Sequence, residues 1–333
     1  MDAPGQPLIP GYLLPPRAWL VVALLWFVAC LNYLDRIMIT TMRGSIMEAI
    51  PMKEEQFGLL TAVFLWIYGL LSPLAGFLAD RFSRSHIIIG SLFAWSAVTL
   101  LTGYAKTFEQ LLIARALMGI SEACYIPAAL ALISDYHRGH TRSLATGLHV
   151  TGVTIGSGLG GVAGWMAEKQ GWTFAFNVFG IIGIAYGFVL ILHLRDAPRM
   201  QTDSPAEGLP KVEFGKAVAS LFSSGSFILM FVFWGLAAAA NWGVTGWMPT
   251  HLGEQFDLSQ GKAGLSATGY HHAASVVGLL LGGAWADRWS RSHRRGRIFV
   301  PVIGLCFAVP AMLLAANAPA LWLAVAGLML YGL

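Results

Sequence analysis

The chain is 333 residues long, 56% hydrophobic and only 11% charged, with a formal net charge of +4 and a mean hydropathy of +0.64. An ordinary soluble domain carries about 25% charged residues, and a water-exposed fold cannot hide this much apolar surface, so lipid is the expected solvent for most of it. The basic residues sit in short segments between apolar runs, which excludes a nucleic-acid footprint.

Crossing a bilayer takes about 20 mostly apolar residues as a helix. Nine runs reach that length: 18–41, 57–79, 86–105, 108–134, 143–167, 173–194, 221–250, 263–286 and 298–316. A tenth opens near Pro319 and runs to Leu333. The first run is too long for a signal-peptide core and ends in Asn32, Asp35 and Arg36 rather than a cleavage site. Pro51 and Gly171 are among the turn signals between runs. Arg195 to Lys216 is polar, with Pro198, Pro205 and Pro210, and is expected to be a central linker with little fixed structure. The implied division is a six-helix bundle over 1–194, a linker over 195–220 and an incomplete second bundle over 221–333. Cys30, Cys124 and Cys306 all fall within apolar runs and read as small buried hydrophobes, not disulfides or metal ligands.

Lys and Arg set the orientation. With the N-terminus inside, the inner loops hold Arg17, Arg81, Arg84, Arg138, Arg142, Arg195, Arg199, Lys211, Lys216, Arg288, Arg291, Arg294, Arg295 and Arg297. The outer loops hold Arg43, Lys53, Lys106, Lys169 and Lys262. Fourteen against five is a positive-inside bias, and it alternates loop by loop. The expected location is therefore the cell membrane, multi-pass, with a cytoplasmic N-terminus.

An internal repeat supports the span count. Residues 76–86 read GFLADRFSRSH and residues 283–293 read GAWADRWSRSH, eight of eleven identical at an offset of 207. Two parallel repeats of six spans are expected, an architecture of about 400 residues, with this chain ending in the tenth span. Asp80, Arg81 and Arg84, with Asp287, Arg288 and Arg291, lie at the inner ends of spans, where opposite charges can pair in one conformation and part in another. A gating role is expected for them; simple topogenic charge is the plainer reading.

Four ionisable residues lie inside spans: Asp35 and Arg36 in the first, Arg115 and Glu122 in the fourth. Each costs about 2.5–3.5 kcal/mol at a helix centre on insertion scales, so stability alone would remove them. Arg115 and Glu122 are two helical turns apart on one face, with Gly119 between them leaving room for a partner or ligand. A carboxylate held between burial and a nearby Arg can change charge as the conformation changes. Asp35 and Glu122 are therefore the expected proton-coupling residues, and Arg36 and Arg115 the expected contacts for an anionic substrate. A static ion pair between the first and fourth helices is the plainer reading.

The fifth span carries Gly152, Gly156, Gly160 and Gly164, a smooth face expected to act as a sliding surface between moving helices. The GxGxxG at Gly156, Gly158 and Gly161 lacks the strand a dinucleotide fold needs. Asn241 and Trp242 in the seventh span, and His271 and His272 in the eighth, put polar and aromatic groups in apolar helices and are candidate substrate contacts. His137 and His140 read as solvated loop residues. HExxH, GxSxG and the P-loop are absent, so neither an enzyme nor an ATP-driven pump is expected.

Together these residues resemble the major facilitator superfamily along the whole chain. G-x-L-A-D-R-x-S-R at 76–84, echoed at 283–291, is similar to its signature loop, and Arg115 with Gly119 to its fourth-span pattern. LNYLDR at 31–36, ARALMGISEACYIP at 114–127 and TRSLATGL at 141–148 resemble spinster-like lipid transporters and the neighbouring organic anion:cation symporters. The resemblance implies an all-α major facilitator fold in which Asp35, Arg36, Arg115 and Glu122 serve proton coupling and ligand binding. The expectation drawn is proton-coupled symport of a small organic anion, a carboxylate or sugar acid. A spinster-like lysolipid transporter is the first alternative, and a non-transporting membrane scaffold or sensor is the alternative of another class. Small-molecule substrate, protons and the bilayer are the expected partners, with no cofactor and a monomeric state.

Overall fold

The computed structural model describes residues 15–138, 141–197, 214–290, 292–293 and 295–333. Among them every regular element is helical: α1 (Pro15–Thr41), α2 (Arg43–Ala49), α3 (Glu54–Arg81), α4 (Arg84–Thr102), α5 (Phe108–Glu122), α6 (Tyr125–Tyr136), α7 (Arg142–Gln170), α8 (Trp172–His193), α9 (Phe214–Phe222), α10 (Gly225–Phe256), α11 (Gln260–Gly264), a π-turn (Leu265–Gly269), α12 (Tyr270–Ser290), α13 (Gly296–Ala316) and α14 (Leu321–Gly332). Helices satisfy their own backbone hydrogen bonds, which is what a hydrocarbon solvent demands. Seven helical segments among the described residues are long and apolar enough to cross a membrane. The expected fifth and eighth spans form long helical segments too, as α7 and as α11 through α12, but are diluted by Gly, Thr and His.

Local chemistry sets the helix ends. Thr107 caps α5 by accepting from the Gln110 amide, and Ser83 caps α4 by accepting from His86. Gly171, at φ 88°, is the single residue between α7 and α8, a conformation that favours glycine. The expected fourth span is not one helix. It breaks at Ala123 and Cys124, because Pro127 brings no amide hydrogen and its ring crowds the carbonyl of Ala123, four residues back. Ser91 on α4 donates to the Ser121 carbonyl at this break. Glu122 thus closes α5 at an opened turn.

The linker expectation is corrected at both ends. Residues 198–213 lie outside the described residues, but Ser85 N–H donates to Asp196 Oδ1 at 2.7 Å and Tyr136 Oη donates to the Arg195 carbonyl at 2.9 Å. Burial would raise the Asp196 carboxyl, but hydrogen bonds from Ser83 and Ser85 hold it below the usual carboxylate range. On the other side α9 is helical, and Phe214 packs on Phe77. His137 is also corrected. It is buried, edge-on to Trp19 at 4.7 Å and hydrogen-bonded to Thr141, while His140 lies outside the described residues. Cys30 is buried as expected, but Cys124 is half-buried and Cys306 exposed.

Two apolar clusters hold the first part, residues 15–197. One gathers Val22, Leu25, Trp95, Tyr125 and Leu132; the other gathers Met38, Ile46, Phe57, Trp172 and Phe176. A third, with Met248, Leu252, Ala315 and Leu328, lies in the second part. Helix α7 joins everything, because it carries two glycine faces. Gly152, Gly156, Gly160 and Gly164 meet α1 so closely that a Cβ at Gly152 would lie 2.6 Å from the Trp26 carbonyl oxygen. Gly158 and Gly161 meet the second part instead, at His272 and Thr268. Of the expected glycine stripe, the four-residue repeat is a fixed contact within the first part, and the offset pair faces the other part.

A Cβ at Gly156 would overlap the Cys30 backbone, whereas one at Gly147 would meet nothing. Gly156→Ala should cost about 1–3 kcal/mol by forcing α1 from α7, read as a lowered melting temperature of the purified protein. Gly147→Ala should leave that temperature unchanged.

Candidate functional site

Three helices bring the intramembrane charges together. Arg36 and Glu122 form a buried ion pair, Arg36 Nε donating to Glu122 Oε2 at 2.6 Å. Helix α3 supplies an aromatic wall: the Arg36 guanidinium lies 5.2 Å from the Phe64 ring and 4.3 Å from Tyr68, with Tyr33 of its own helix at 4.6 Å. These faces carry negative potential and replace water around the cation. Asp35 is buried, and its Oδ2 accepts from Thr99 of α4 at 3.1 Å.

Arg115 is held differently. It is buried, donates to the Leu60 carbonyl at 3.3 Å and to the Met118 sulfur at 3.0 Å, and lies 4.5 Å from the Phe64 ring. Among the described residues it forms no ion pair. Gly119 leaves no ligand space, correcting the expectation: the Phe64 carbonyl and Ile67 of α3 fill it. Glycine there lets α3 approach α5, which brings Phe64 over both guanidiniums.

The cluster is not internally satisfied. Asp35 Oδ1 and Arg36 Nη2 are buried without a hydrogen-bond partner among the described residues, and the Asn32 amide lies beside Glu122. An orphaned buried polar atom costs about 1–3 kcal/mol. Both belong to α1, facing α3, α4 and α5, and make this the polar centre of the first part. Asn32, Thr99, Tyr33, Tyr68 and Phe64 were missed in the sequence. Asn32 had a signal, being an amide one turn before Arg36 on an apolar helix.

The other candidates are scattered. Asn241 is exposed and Trp242 half-buried on α10. His271 Nδ1 lies 3.2 Å from the Leu328 carbonyl of α14 and its ring stacks on Tyr331, while His272 Nδ1 lies 2.8 Å from the Thr268 carbonyl. A carbonyl accepts only, so both rings carry their proton on Nδ1 and are turned into helix contacts. At the far end of the first part, Arg84 pairs with Asp135 of α6 and reaches Asp80 at 3.5 Å, and Arg81 covers the Phe77 ring at 4.0 Å. Asp135 is a partner the repeat motif did not disclose. Arg288 is exposed; Arg291 and the Asp287 side chain lie outside the described residues.

A transmembrane helical array with an embedded charge cluster, a signature loop and a glycine-rich α7 matches the family described as Major Facilitator Superfamily over residues 25–333. The chain belongs to the Major Facilitator Superfamily. It is a multi-pass membrane protein with the all-α fold of that family. Human protein spinster homolog 1 is 30% identical over 257 residues, covering 75% of this chain and 48% of that protein. The sphingosine-1-phosphate transporter SPNS2 of Danio rerio is 31% identical over 259 residues, covering 75% and 50%. The crystal structure of a bacterial homologue of the human lysosomal transporter Spinster, inward-facing and occupied, superposes with TM-score 0.75 at 26% identity over 96% of this chain and 73% of that one. The chain spans about half the length of the curated relatives it matches.

Removing one member of a buried ion pair strands the other, at about 3–5 kcal/mol, while removing both with apolar residues is often neutral. Arg36→Met and Glu122→Leu should each lower thermal stability of this facilitator, and the double variant should recover most of the loss. A double variant as unstable as the sum of the singles would show that the two side chains do not act as a pair.

Proposed function

We propose that the chain is the transporting body of a secondary carrier for an amphiphilic lipid with an anionic headgroup, coupled to protons at Asp35 and Glu122. The observation that carries this is the charge count of the buried cluster. With both acids ionised, Asp35, Glu122, Arg36 and Arg115 sum to zero. Protonating one acid leaves a net positive site in low dielectric, where an uncompensated charge is costly. An anionic headgroup then restores neutrality. Proton and anion thus favour each other's binding, which is the thermodynamic content of symport. Arg115, without an ion pair among the described residues, is the natural headgroup contact.

The sequence alone led to a small organic anion, with lipid as the alternative. The relatives favour the alternative, since one is named for sphingosine-1-phosphate transport and the solved neighbour is a spinster homologue. Both readings need the same anion site. They differ in the apolar body of the solute, for which Trp242 and the aromatic wall of Phe64 and Tyr68 are suited. We place the N-terminus on the cytoplasmic side, by the distribution of Lys and Arg. Hydrogen bonds between the two parts then gather at the outer end, near Arg43 and Gln260, which fits an inward-facing state. The charges of Asp80, Arg84 and Asp135 lie at the inner end and are proposed to change partners as that end closes.

Proteoliposomes test this. Uptake of a lysophospholipid or phosphorylated sphingoid base should rise when a pH gradient is imposed, and small carboxylates should not compete. Asp35→Asn removes the titratable charge and keeps the shape. It should cut gradient-driven accumulation by about tenfold or more, the scale of one lost charge-assisted contact, while substrate exchange persists. Competition by small carboxylates would return the substrate to the organic-anion class. Absence of any flux would favour a scaffold.

A further inference from the structure

We propose that Gln260 is the latch that holds the two parts of the carrier closed at the outer end. The inference rests on the alternating-access reading above, but its test reads shape rather than transport.

Gln260 is the first residue of α11, and both ends of its amide are used. Oε1 accepts from the Ser45 amide at 2.8 Å, while Nε2 donates to Ser45 Oγ at 2.8 Å and to the Gly164 carbonyl at 3.3 Å. One side chain of the second part thereby ties α2 and the outer end of α7 together. The partners fix which way the amide points, since a backbone N–H can only donate and a carbonyl only accept. Beside it the Gly261 amide donates to Glu168 Oε2 at 2.9 Å, a carboxylate set against the start of α11. The fit depends on small residues: a Cβ at Gly44 would lie 3.0 Å from Gln260 Oε1, and one at Gly164 would lie 3.3 Å from the Gln260 carbonyl.

Below the latch the seam continues to Thr268, whose hydroxyl donates to the Gly158 carbonyl at 3.2 Å. That hydroxyl is also 2.9 Å from the Gly264 carbonyl of its own helix, so its one hydrogen is shared and the firmest side-chain bonds across this seam are those of Gln260. A cavity of 180 Å³ opens beside the latch, lined by Thr40, Thr41, Arg43, Glu254 and Gln260. It provides room for the Gln260 side chain to swing out and be met by water.

The chemistry separates glutamine from its near-isostere. Gln260→Glu keeps the oxygen that accepts from Ser45 but loses the donor to Gly164, setting a negative oxygen against that carbonyl and near Glu168. Gln260→Ala loses all three bonds. Glu168→Gln keeps an oxygen facing Gly261 and only exchanges a charge-assisted bond for a neutral one.

The test uses a reporter thiol, Thr268→Cys, in a background with Cys30, Cys124 and Cys306 replaced by Ser. Thr268 is buried in the seam. A membrane-impermeant thiol reagent is applied to the outer face of vesicles holding the protein. With Gln260 present the thiol should label slowly. Gln260→Ala and Gln260→Glu should each raise the labelling rate about tenfold or more, as expected for losing one to three hydrogen bonds, and Glu168→Gln should raise it less than either. Should either Gln260 variant fail to yield a monodisperse protein, the other decides. A thiol that stays as protected in a folded Gln260 variant as in the parent overturns the latch. Because labelling needs no substrate, a protein that moves no lipid can still show the latch, and a latch that fails leaves the flux result standing.

Discussion

A guanidinium buried in hydrocarbon must find both a counter-charge and a substitute for water, and the arrangement of the first six spans follows from how Arg36 meets that demand. The counter-charge is Glu122, which reaches Arg36 because α5 ends there, and α5 ends there because Pro127 breaks the ladder. The substitute for water is the aromatic wall on α3, which comes close enough only because Gly119 has no side chain. A proline, a glycine and a pair of charges are thus one construction. The polar atoms left without a partner around it are a cost to stability that the packing alone does not explain.

Helix α7 is the element that packs against both parts. Its four-residue glycine stripe fuses it to α1 at backbone distance, so these two helices move as a unit. Gly158 and Gly161 are offset from that stripe and face the second part, where a Cβ at Gly161 would lie 2.9 Å from the Gly264 carbonyl oxygen, so this face is closely packed as well. One helix therefore packs against both parts, with Gly164 touching Thr41 of the first and Gln260 of the second. The π-turn Leu265–Gly269 opposite it, where Thr268 bonds to both Gly264 and Gly158, is the kind of irregular backbone found at moving or functional seams.

The fold was legible because membrane solvation writes itself into long apolar runs, and the expected spans agree with the helices to within a few residues at most ends. The charge cluster was legible for the same reason: four ionisable residues stand out in apolar runs, and the plainer reading, an ion pair between the first and fourth spans, is met by Arg36 and Glu122. Its wiring was not. Arg115 and Glu122 share a helix face and seemed natural partners for one site, yet Arg36 takes Glu122, 86 residues away, and Arg115 turns to a backbone carbonyl. Which cation wins an acid depends on helix rotation and on the break at Ala123, and hydropathy carries neither. The break itself had a visible cause in Pro127. Gln260 and Ser45 are 215 residues apart, and an ordinary polar residue at a helix start gives no sign of what it reaches.

The division of bond types explains why such a molecule can change shape at all. The strong interaction, a buried ion pair, lies wholly within the first part, so a rocking motion between parts never breaks it. Breaking it would strand two charges at several kcal/mol each. The interactions that must break lie on the seam and are mostly neutral amide and hydroxyl bonds, each worth about 0.5–1.5 kcal/mol net. The two ionic contributions there, Glu168 to the Gly261 amide and Arg43 to Glu254 at 4.0 Å, lie at the outer margin, where water can replace them as they open. On the proposed proton–lipid symport, a seam fastened by such bonds is one that the differential binding of a proton and a headgroup could tip. A seam built from buried ion pairs would have been too stiff for that. A cluster without them would have had no charge to couple.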